Sequence, residues 1–151
     1  MDVNSFITGF VEGEGCFCIS FSKRAKLNTG IEVRPSFALS QHKRNLKLLQ
    51  SIHSEFQCGA IRYSRRDQNY KFEVRSIKDL MKIVIPFFEK YPLLGIKNKD
   101  FQNFKKVCEL VYTNQHRNKE RLGELINLAY QINSSGKKKY TKEELLRHIA
   151  R

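Results

Sequence analysis

The spacing of hydrophobic positions changes at about residue 16. Before it, Val3, Phe6, Ile7 and Phe10 recur three and four residues apart, which predicts an amphipathic helix that ends near Gly13. After it, apolar and polar positions alternate strictly, as they do in a half-buried strand. The pattern therefore predicts a helix that leads directly into a β-sheet.

Alternation of the same kind predicts two β-hairpins, separated by a helix with apolar positions from Leu46 to Phe56. Each hairpin has one apolar side and one charged or hydrogen-bonding side, so a four-stranded antiparallel sheet with one polar face is expected. The apolar side comprises Phe17, Ile19, Phe21, Ile31, Val33, Phe37 and Leu39 in the first hairpin and Ile61, Tyr63, Tyr70, Phe72 and Val74 in the second.

Helical signals dominate the rest of the chain. Ser76, with Asp79 three residues later, predicts the start of a helix that Pro86 should interrupt, and a further helix follows from about Phe101. The order is thus αββαββα, an α+β fold, over a predicted core domain of residues 1–112. Residues 113–151 are more charged and predict a C-terminal helical extension, with helices at about 122–132 and after Thr141.

The charge of the chain indicates its class of partner. Its 151 residues include 28 Lys+Arg against 15 Asp+Glu, a net charge of +13, and the basic residues are spread along the whole chain. Such an excess favours a large anionic partner, with nucleic acid ahead of a membrane surface; the alternative is a merely soluble basic surface. No apolar run approaches the roughly 18 residues of a membrane span, so no membrane partner is expected.

The cysteines and the amino terminus bear on the compartment. Cys16, Cys18, Cys58 and Cys108 show neither the CxxC pairs of a zinc site nor the density of a disulfide scaffold. Reduced thiols in an intracellular, reducing compartment are therefore expected. The amino terminus has no secretory pattern and no visible import signal, with a mitochondrion or chloroplast as a candidate location.

Two features of the first helix call for an explanation. Ser5, Thr8, Gly9 and Gly13 form a stripe of small residues, which would let a second backbone approach closely. Glu12 and Glu14 fall at the helix carboxyl end, where the helix dipole disfavours anionic side chains. A bound Mg²⁺, which prefers hard oxygen ligands, would compensate that charge; the alternative is a pair of solvated turn residues.

These residues lie in a recognisable motif. Residues 7–15, ITGFVEGEG, resemble the LAGLIDADG motif of homing endonucleases, and the chain has one copy of it. The two hairpins and the segment LLGIKNKDF, residues 93–101, match the family as well, so the resemblance covers roughly residues 1–112. It implies a four-stranded DNA-binding saddle and the activity of a site-specific double-strand DNA endonuclease.

The resemblance also implies roles for individual residues. Glu14 stands at the catalytic acidic position, with the Gly13 carbonyl beside it as a metal ligand. Gln41 matches a residue that orders active-site water, and Lys97 matches a basic residue near the scissile phosphate. Two or more Mg²⁺ ions shared across a dimer are implied, with no small-molecule cofactor. Where some members carry an arginine just beyond the glutamine, this chain offers Asn45 or its neighbour Arg44, and the sequence does not decide between them.

A single motif implies a homodimer on a long, near-palindromic target, because the family cuts both strands with two motif helices side by side. Ser5, Thr8, Gly9 and Gly13 are the predicted contact. The polar sheet residues are predicted to lie along the major groove of double-stranded DNA. They are Ser20, Ser22, Arg24, Glu32, Arg34, Ser36, Arg62, Ser64, Arg66, Asn69, Lys71, Glu73 and Arg75.

Two other functions use the same features. An intron-splicing maturase or a non-catalytic DNA- or RNA-binding regulator would keep the basic saddle and have no need of the acid. A structural basic protein, such as a ribosomal component, would explain the charge but not the motif. The presence of Glu14, Gln41 and Lys97 together favours the endonuclease.

Overall fold

A computed structural model describes residues 2–132 and 138–151. Helix α1 (Val3–Glu14) is capped by Asp2, whose side chain accepts a hydrogen bond from the Asn4 amide at 3.1 Å. Strand β1 (Gly15–Lys23) follows α1 without a loop, and β2 (Ile31–His42) completes the first hairpin. The predicted change from helix to strand is confirmed, one residue later than expected for the helix end.

The sheet contains four antiparallel strands in the order β1-β2-β4-β3. Helix α2 (Leu46–Phe56) connects the first hairpin to the second, which consists of β3 (Ala60–Ser64) and β4 (Asn69–Val74). Opposite residues such as Phe17 and Phe37 share a face because side chains alternate along each strand. The predicted αββαββα order is confirmed, with the central pair β2 and β4 drawn from different hairpins.

Aromatic side chains fill the space between the sheet and its helices. The Phe17 ring lies with its centroid 5.4 Å from that of Phe37, 5.6 Å from Phe88 and 5.2 Å from Phe104. Each of these side chains is almost fully buried. Phe104 belongs to α5 (Lys97–Tyr112), which therefore packs on the apolar face and places its own amino end beside β1.

The prediction that Pro86 interrupts its helix was wrong. Helix α3 (Ile77–Asp79) passes through a π-helical turn (Leu80–Val84) into α4 (Ile85–Lys90), so the chain remains helical across the proline. The Ile85 amide bonds the carbonyl of Leu80, five residues earlier. This wider turn changes the hydrogen-bond register just before Pro86, which has no N–H to donate. The predicted cap is confirmed, since the Ser76 hydroxyl accepts from the Asp79 amide at 3.2 Å.

The C-terminal helices pack against the tip of the first hairpin. Helix α6 (Lys119–Ala129) and α7 (Lys142–Ala150) form a second apolar cluster with Phe21, Ile31 and Val33. The predicted cap at Thr141 is confirmed, but α6 starts and ends three residues earlier than predicted. The division of the chain at residue 112 stays a prediction. None of the helices in the described part of the chain is long and apolar enough to cross a membrane.

Candidate active site and nucleic-acid interface

The carboxyl end of α1 meets the edge strand of the sheet at Gly15. A Cβ at this position would lie 2.6 Å from Cγ1 of Val11, so only glycine permits the direct turn from helix into strand. Glu14, the last residue of α1, is exposed at this turn. Within residues 2–132 and 138–151, its carboxylate forms no hydrogen bond or ion pair. The Glu14 oxygens are thus free to bind a ligand.

Lys97 also lies beside Gly15, although the two residues are 82 positions apart in the sequence. It is the first residue of α5, and its Nζ donates to the carbonyl oxygen of Gly15 at 2.5 Å. Its ammonium group is therefore hydrogen-bonded to the carbonyl of the residue that follows Glu14. The amino end of α5 adds the positive end of its dipole to the charge of Lys97.

Gln41 lies near the end of β2 at the same end of the sheet, two residues beyond Leu39, which pairs with Gly15. Its Nε2 donates to the Ser40 carbonyl at 2.8 Å, and its Oε1 accepts from Nδ2 of Asn45 at 2.9 Å. The structure thus brings Glu14, Gln41 and Lys97 to one end of the sheet.

Of the two candidates Arg44 and Asn45, the geometry favours Asn45 as the residue that acts beside Gln41. Asn45 bonds the Gln41 side chain directly, whereas the Arg44 backbone amide donates to Nδ1 of His42 and its side chain is exposed. The Asn45 amide fixes which way the Gln41 amide faces. Asn45 is therefore the better candidate for a polar role beside Gln41.

Glu12 makes contacts of its own, although it lies only two positions from Glu14 in the sequence. Its Oε1 accepts hydrogen bonds from the backbone amides of Leu94 and Gly95, the latter at 2.9 Å. Residues two apart on a helix do not face each other, and this spacing was the available signal that the two glutamates differ. The partner of Glu12, more than 80 residues away, was not predictable from the sequence.

The donor set at the end of α1 fits a hard divalent cation. Glu14 offers free carboxylate oxygens, and Gly13 belongs to the last helical turn, whose carbonyls lack intrahelical partners. In the described part of the chain, no three His, Cys, Asp or Glu side chains cluster as a metal site. Mg²⁺ often binds through one or two carboxylates and keeps several waters, so Glu14 and the Gly13 carbonyl suit it.

The small stripe on α1 is only partly exposed. Gly9 and Gly13 are open, since a Cβ at either would have no atom within 4 Å. Ser5 is exposed, and its hydroxyl donates to Asp2 at 2.6 Å. Thr8 was misplaced: it is only 9% exposed, and its hydroxyl donates to the Tyr91 carbonyl at 3.0 Å. Thr8 therefore holds α1 to the end of α4.

The predicted apolar side of α1 was also partly wrong. Ile7 and Val11 are buried in the core, whereas Val3 and Phe6 remain 49% and 39% exposed. Phe6 lies on the outer side of the helix together with the open glycines. The accessible face of α1 is therefore more apolar than the sequence pattern indicated.

The sheet presents a polar face on the side away from the core. Its cross-strand pairs include Ser20 with Arg34, Ser22 with Glu32, and Arg62 with Lys71. We call this surface the polar face. Within the strands it comprises Ser20, Ser22, Glu32, Arg34, Arg62, Ser64, Asn69, Lys71 and Glu73; Arg24, Arg66 and Arg75 lie just beyond strand ends.

Acidic residues hold the basic side chains of the polar face in place. Glu73 pairs with Lys71 at 3.2 Å and with Arg75 at 2.7 Å. Burial by itself would raise the pKa of Glu73, but hydrogen bonds from Arg75 and Lys71 outweigh it and lower the pKa below its usual value. Glu32 similarly pairs with Arg24 at 2.6 Å and with Arg34 at 3.5 Å.

One position at the centre of the polar face differs from the prediction. Ser36 is buried to 9% exposure, which weighs against direct contact with DNA and leaves its role a prediction. Its cross-strand partner is Cys18, whose Sγ lies 2.6 Å from that of Cys16. The hydrogen bond with Cys16, and then burial, raise the pKa of Cys18 well above its ordinary value. Cys18 is therefore a neutral thiol at neutral pH.

Comparisons with known proteins bear on the fold and the family of this chain. A family model described as LAGLIDADG endonuclease matches residues 7–108. A Neurospora crassa protein named probable intron-encoded endonuclease 2 is 31% identical over 124 residues, which are 82% of this chain and 26% of that protein. This chain thus spans about a quarter of the length of that relative.

Two solved structures share the fold closely. The homing endonuclease I-TnaI has a TM-score of 0.84 at 33% identity, with 97% of this chain and 95% of that chain covered. I-SmaMI, bound to uncleaved DNA target in the presence of calcium ions, has a TM-score of 0.87 at 32% identity. In that case the match covers 98% of this chain and 49% of the other.

Proposed function

Because this chain belongs to the LAGLIDADG endonuclease family, we propose that it is a Mg²⁺-dependent, site-specific endonuclease that cuts both strands of DNA. It acts as a homodimer on a long, near-palindromic target. The observation that carries the proposal is the convergence of Glu14, Gln41 and Lys97 at one end of a sheet whose other side chains suit DNA.

The polar face supplies binding. Its cations neutralise phosphates, while arginine suits guanine and asparagine suits adenine in the major groove. Glu32 and Glu73 hold these cations near fixed positions before DNA arrives, which reduces the side-chain entropy lost on binding. The I-SmaMI structure, bound to its uncleaved target, supports a DNA partner for the same fold.

The end of α1 supplies chemistry. Glu14 and the Gly13 carbonyl would hold the metal. A bound Mg²⁺ would activate a water and stabilise charge on the phosphoryl oxygens. Lys97 places a positive charge beside the phosphate, where negative charge increases in the transition state. Gln41, oriented by Asn45, positions a water through its side-chain amide.

The open face of α1 is the proposed dimer contact. Gly9 and Gly13 have free space above them, and Phe6 adds exposed apolar area next to them. Two copies related by a two-fold axis would bring both Glu14 residues together, one for each DNA strand. The near-palindromic target follows from that symmetry.

An origin in an intron and a location inside an organelle complete the proposal. The Neurospora crassa relative is named as intron-encoded. A reducing compartment is compatible with the four cysteines of this chain, none of which forms a disulfide.

Selection of bound duplexes from a pool of randomised palindromic sites, followed by cleavage, tests the proposal. We expect the purified protein to cut the selected duplex on both strands in Mg²⁺ and to bind without cutting in Ca²⁺ or EDTA. Binding without cutting in Mg²⁺ would replace the endonuclease with a maturase or a regulator. Absence of any DNA binding would leave only a structural basic protein.

A further inference from the structure

We infer that Glu12 is a positioning residue that fixes Lys97 relative to Glu14. The inference rests on the proposed function, and it assigns the two glutamates of the motif different roles. Glu12 acts through the backbone of residues 94–95, three and two positions before Lys97.

Hydrogen bonds connect α1 and the start of α5 in both directions. Glu12, on α1, accepts from the Leu94 and Gly95 amides that precede α5. Lys97, on α5, donates in return to the Gly15 carbonyl that follows α1. Because each element bonds the other, the position of the Lys97 ammonium depends on Glu12 as well as on its own side chain.

Residues 94–96 are joined to the first turn of α5 by backbone hydrogen bonds from Asn98 to Gly95 and from Lys99 to Ile96, each 3.0 Å long, but no buried side chain anchors them. Leu94 and Ile96 are 95% and 87% exposed, whereas their neighbour Leu93 is buried to 2%. The apolar anchor therefore ends at Leu93, four residues before Lys97. Hydrogen bonds to a charged acceptor are roughly twice as strong as neutral ones, so the Glu12 carboxylate is suited to this task.

The absence of a side chain at Gly95 leaves room for the Glu12 carboxylate. A Cβ at Gly95 would lie 2.9 Å from Oε2 of Glu12, closer than ordinary contact allows. Because Oε2 is the far end of a flexible side chain, Gly95→Ala should displace the carboxylate from the two amides rather than strain the backbone. By contrast, Glu14 accepts no such bonds from the described residues, so only Glu14 keeps its oxygens available for a metal.

Glu12→Ala, Glu12→Gln and Gly95→Ala test the inference in single-turnover cleavage at saturating DNA. Glu12→Ala should lower the rate about 10- to 100-fold, as loss of a supporting residue does, and DNA affinity in Ca²⁺ should not change. Glu12→Gln should keep most of the rate, because its amide oxygen still accepts from both N–H groups. The cleavage rate of Gly95→Ala should fall as that of Glu12→Ala does. The rate of the control Gly123→Ala should not fall, because a Cβ at Gly123 would have no atom closer than 4.0 Å.

A double-mutant cycle with Lys97→Ala separates positioning from direct chemistry. If Glu12 acts through Lys97, Glu12→Ala should lower the rate less than about twofold in the Lys97→Ala background. Fully additive losses would overturn the inference, as would a Glu12→Gln variant as slow as Glu12→Ala.

Hydrogen exchange gives a reading that does not require cleavage. The Leu94 and Gly95 amides should lose protection in Glu12→Ala and keep it in Glu12→Gln, with unchanged exchange in the core. Unchanged protection in Glu12→Ala would overturn the link itself. If the wild type does not cut DNA, the proposed function fails, and exchange still decides whether Glu12 holds this segment. If Glu12→Ala fails to fold, Gly95→Ala carries the same comparison.

Discussion

The polar face and the carboxyl end of α1 use charge in different ways. The polar face spreads its cations over four strands and their ends, and their side chains stay substantially exposed: 49% for Lys71 and 62% for Arg75. The end of α1 concentrates a few groups at defined contacts, with Lys97 2.5 Å from the Gly15 carbonyl. Binding sums many weak terms, whereas chemistry depends on a few placed atoms. Damage to the two regions should therefore have different consequences.

The ion pairs on the polar face bear on this difference between the two regions. Exposed pairs typically contribute less than about 1 kcal/mol to folding, so stability is a poor explanation for them. Glu73, whose side chain is only 10% exposed, holds two exposed cations toward the surface. Under the proposed function, the arrangement presents these cations to the phosphates of DNA.

A rise in salt concentration should have the largest effect on DNA affinity, because salt weakens the interactions of all the cations of the polar face at once. If a dimer neutralises about 8 to 10 phosphates, log K should fall against log salt with a slope of about −7 to −9. Affinity would then fall by roughly 10⁴- to 10⁵-fold between 50 and 200 mM salt. Equilibrium binding in Ca²⁺ measures it, and a slope near −2 would contradict binding through the polar face.

Gly9→Leu should disrupt the dimer while leaving the protomer folded. No atom lies within 4 Å of a Cβ at Gly9, so a larger side chain meets nothing inside the protomer. In the dimer, two leucines would push the helices apart, at a cost of about 1 to 3 kcal/mol each.

Light scattering and thermal unfolding separate these effects. Loss of the dimer is expected, while the variant still unfolds in one cooperative transition because its protomer remains folded. A dimer of unchanged affinity would place the contact elsewhere, and a wild type that is monomeric at micromolar concentration would remove the dimer from the account.

Arg34→Ala and Arg75→Ala should have the smallest effects of this series. Loss of one arginine that reads a base costs about 1 to 3 kcal/mol of discrimination. Binding to a panel of single-base target variants should show relaxed preference at one position in each half-site. Arg121→Ala is the matched control, because Arg121 is an exposed arginine paired with Glu124 at 3.1 Å outside the polar face. Equal losses in all three variants would mean that only net charge matters.

The sheet was predictable because its signal is local. Alternation with period two assigns every strand residue to a face, and burial of Phe17, Phe37 and Phe72 follows from it. The catalytic candidates were found through the motif, and the fold then brought Glu14, Gln41 and Lys97 together.

Two of the errors come from contact between distant segments, and the third, at Pro86, is local. Thr8 is turned inward by a carbonyl 83 residues away, and the Glu12 carboxylate is taken up by amides at a similar distance. Pro86 remains in a helix because a π turn precedes it. No periodic pattern within the sequence reports such contacts.

Cleavage and binding of Glu14→Gln, measured side by side, test the central claim most directly. Glutamine keeps the shape of the side chain and removes the charge that holds the metal, so cleavage in Mg²⁺ should fall about a thousandfold or more. Affinity in EDTA should be equal or tighter, because a carboxylate near phosphates repels them. The control Glu55→Gln, at an exposed position on α2, should change neither. Glu14→Gln that cuts at the wild-type rate, or that loses DNA binding along with cleavage, would contradict the division between the two regions.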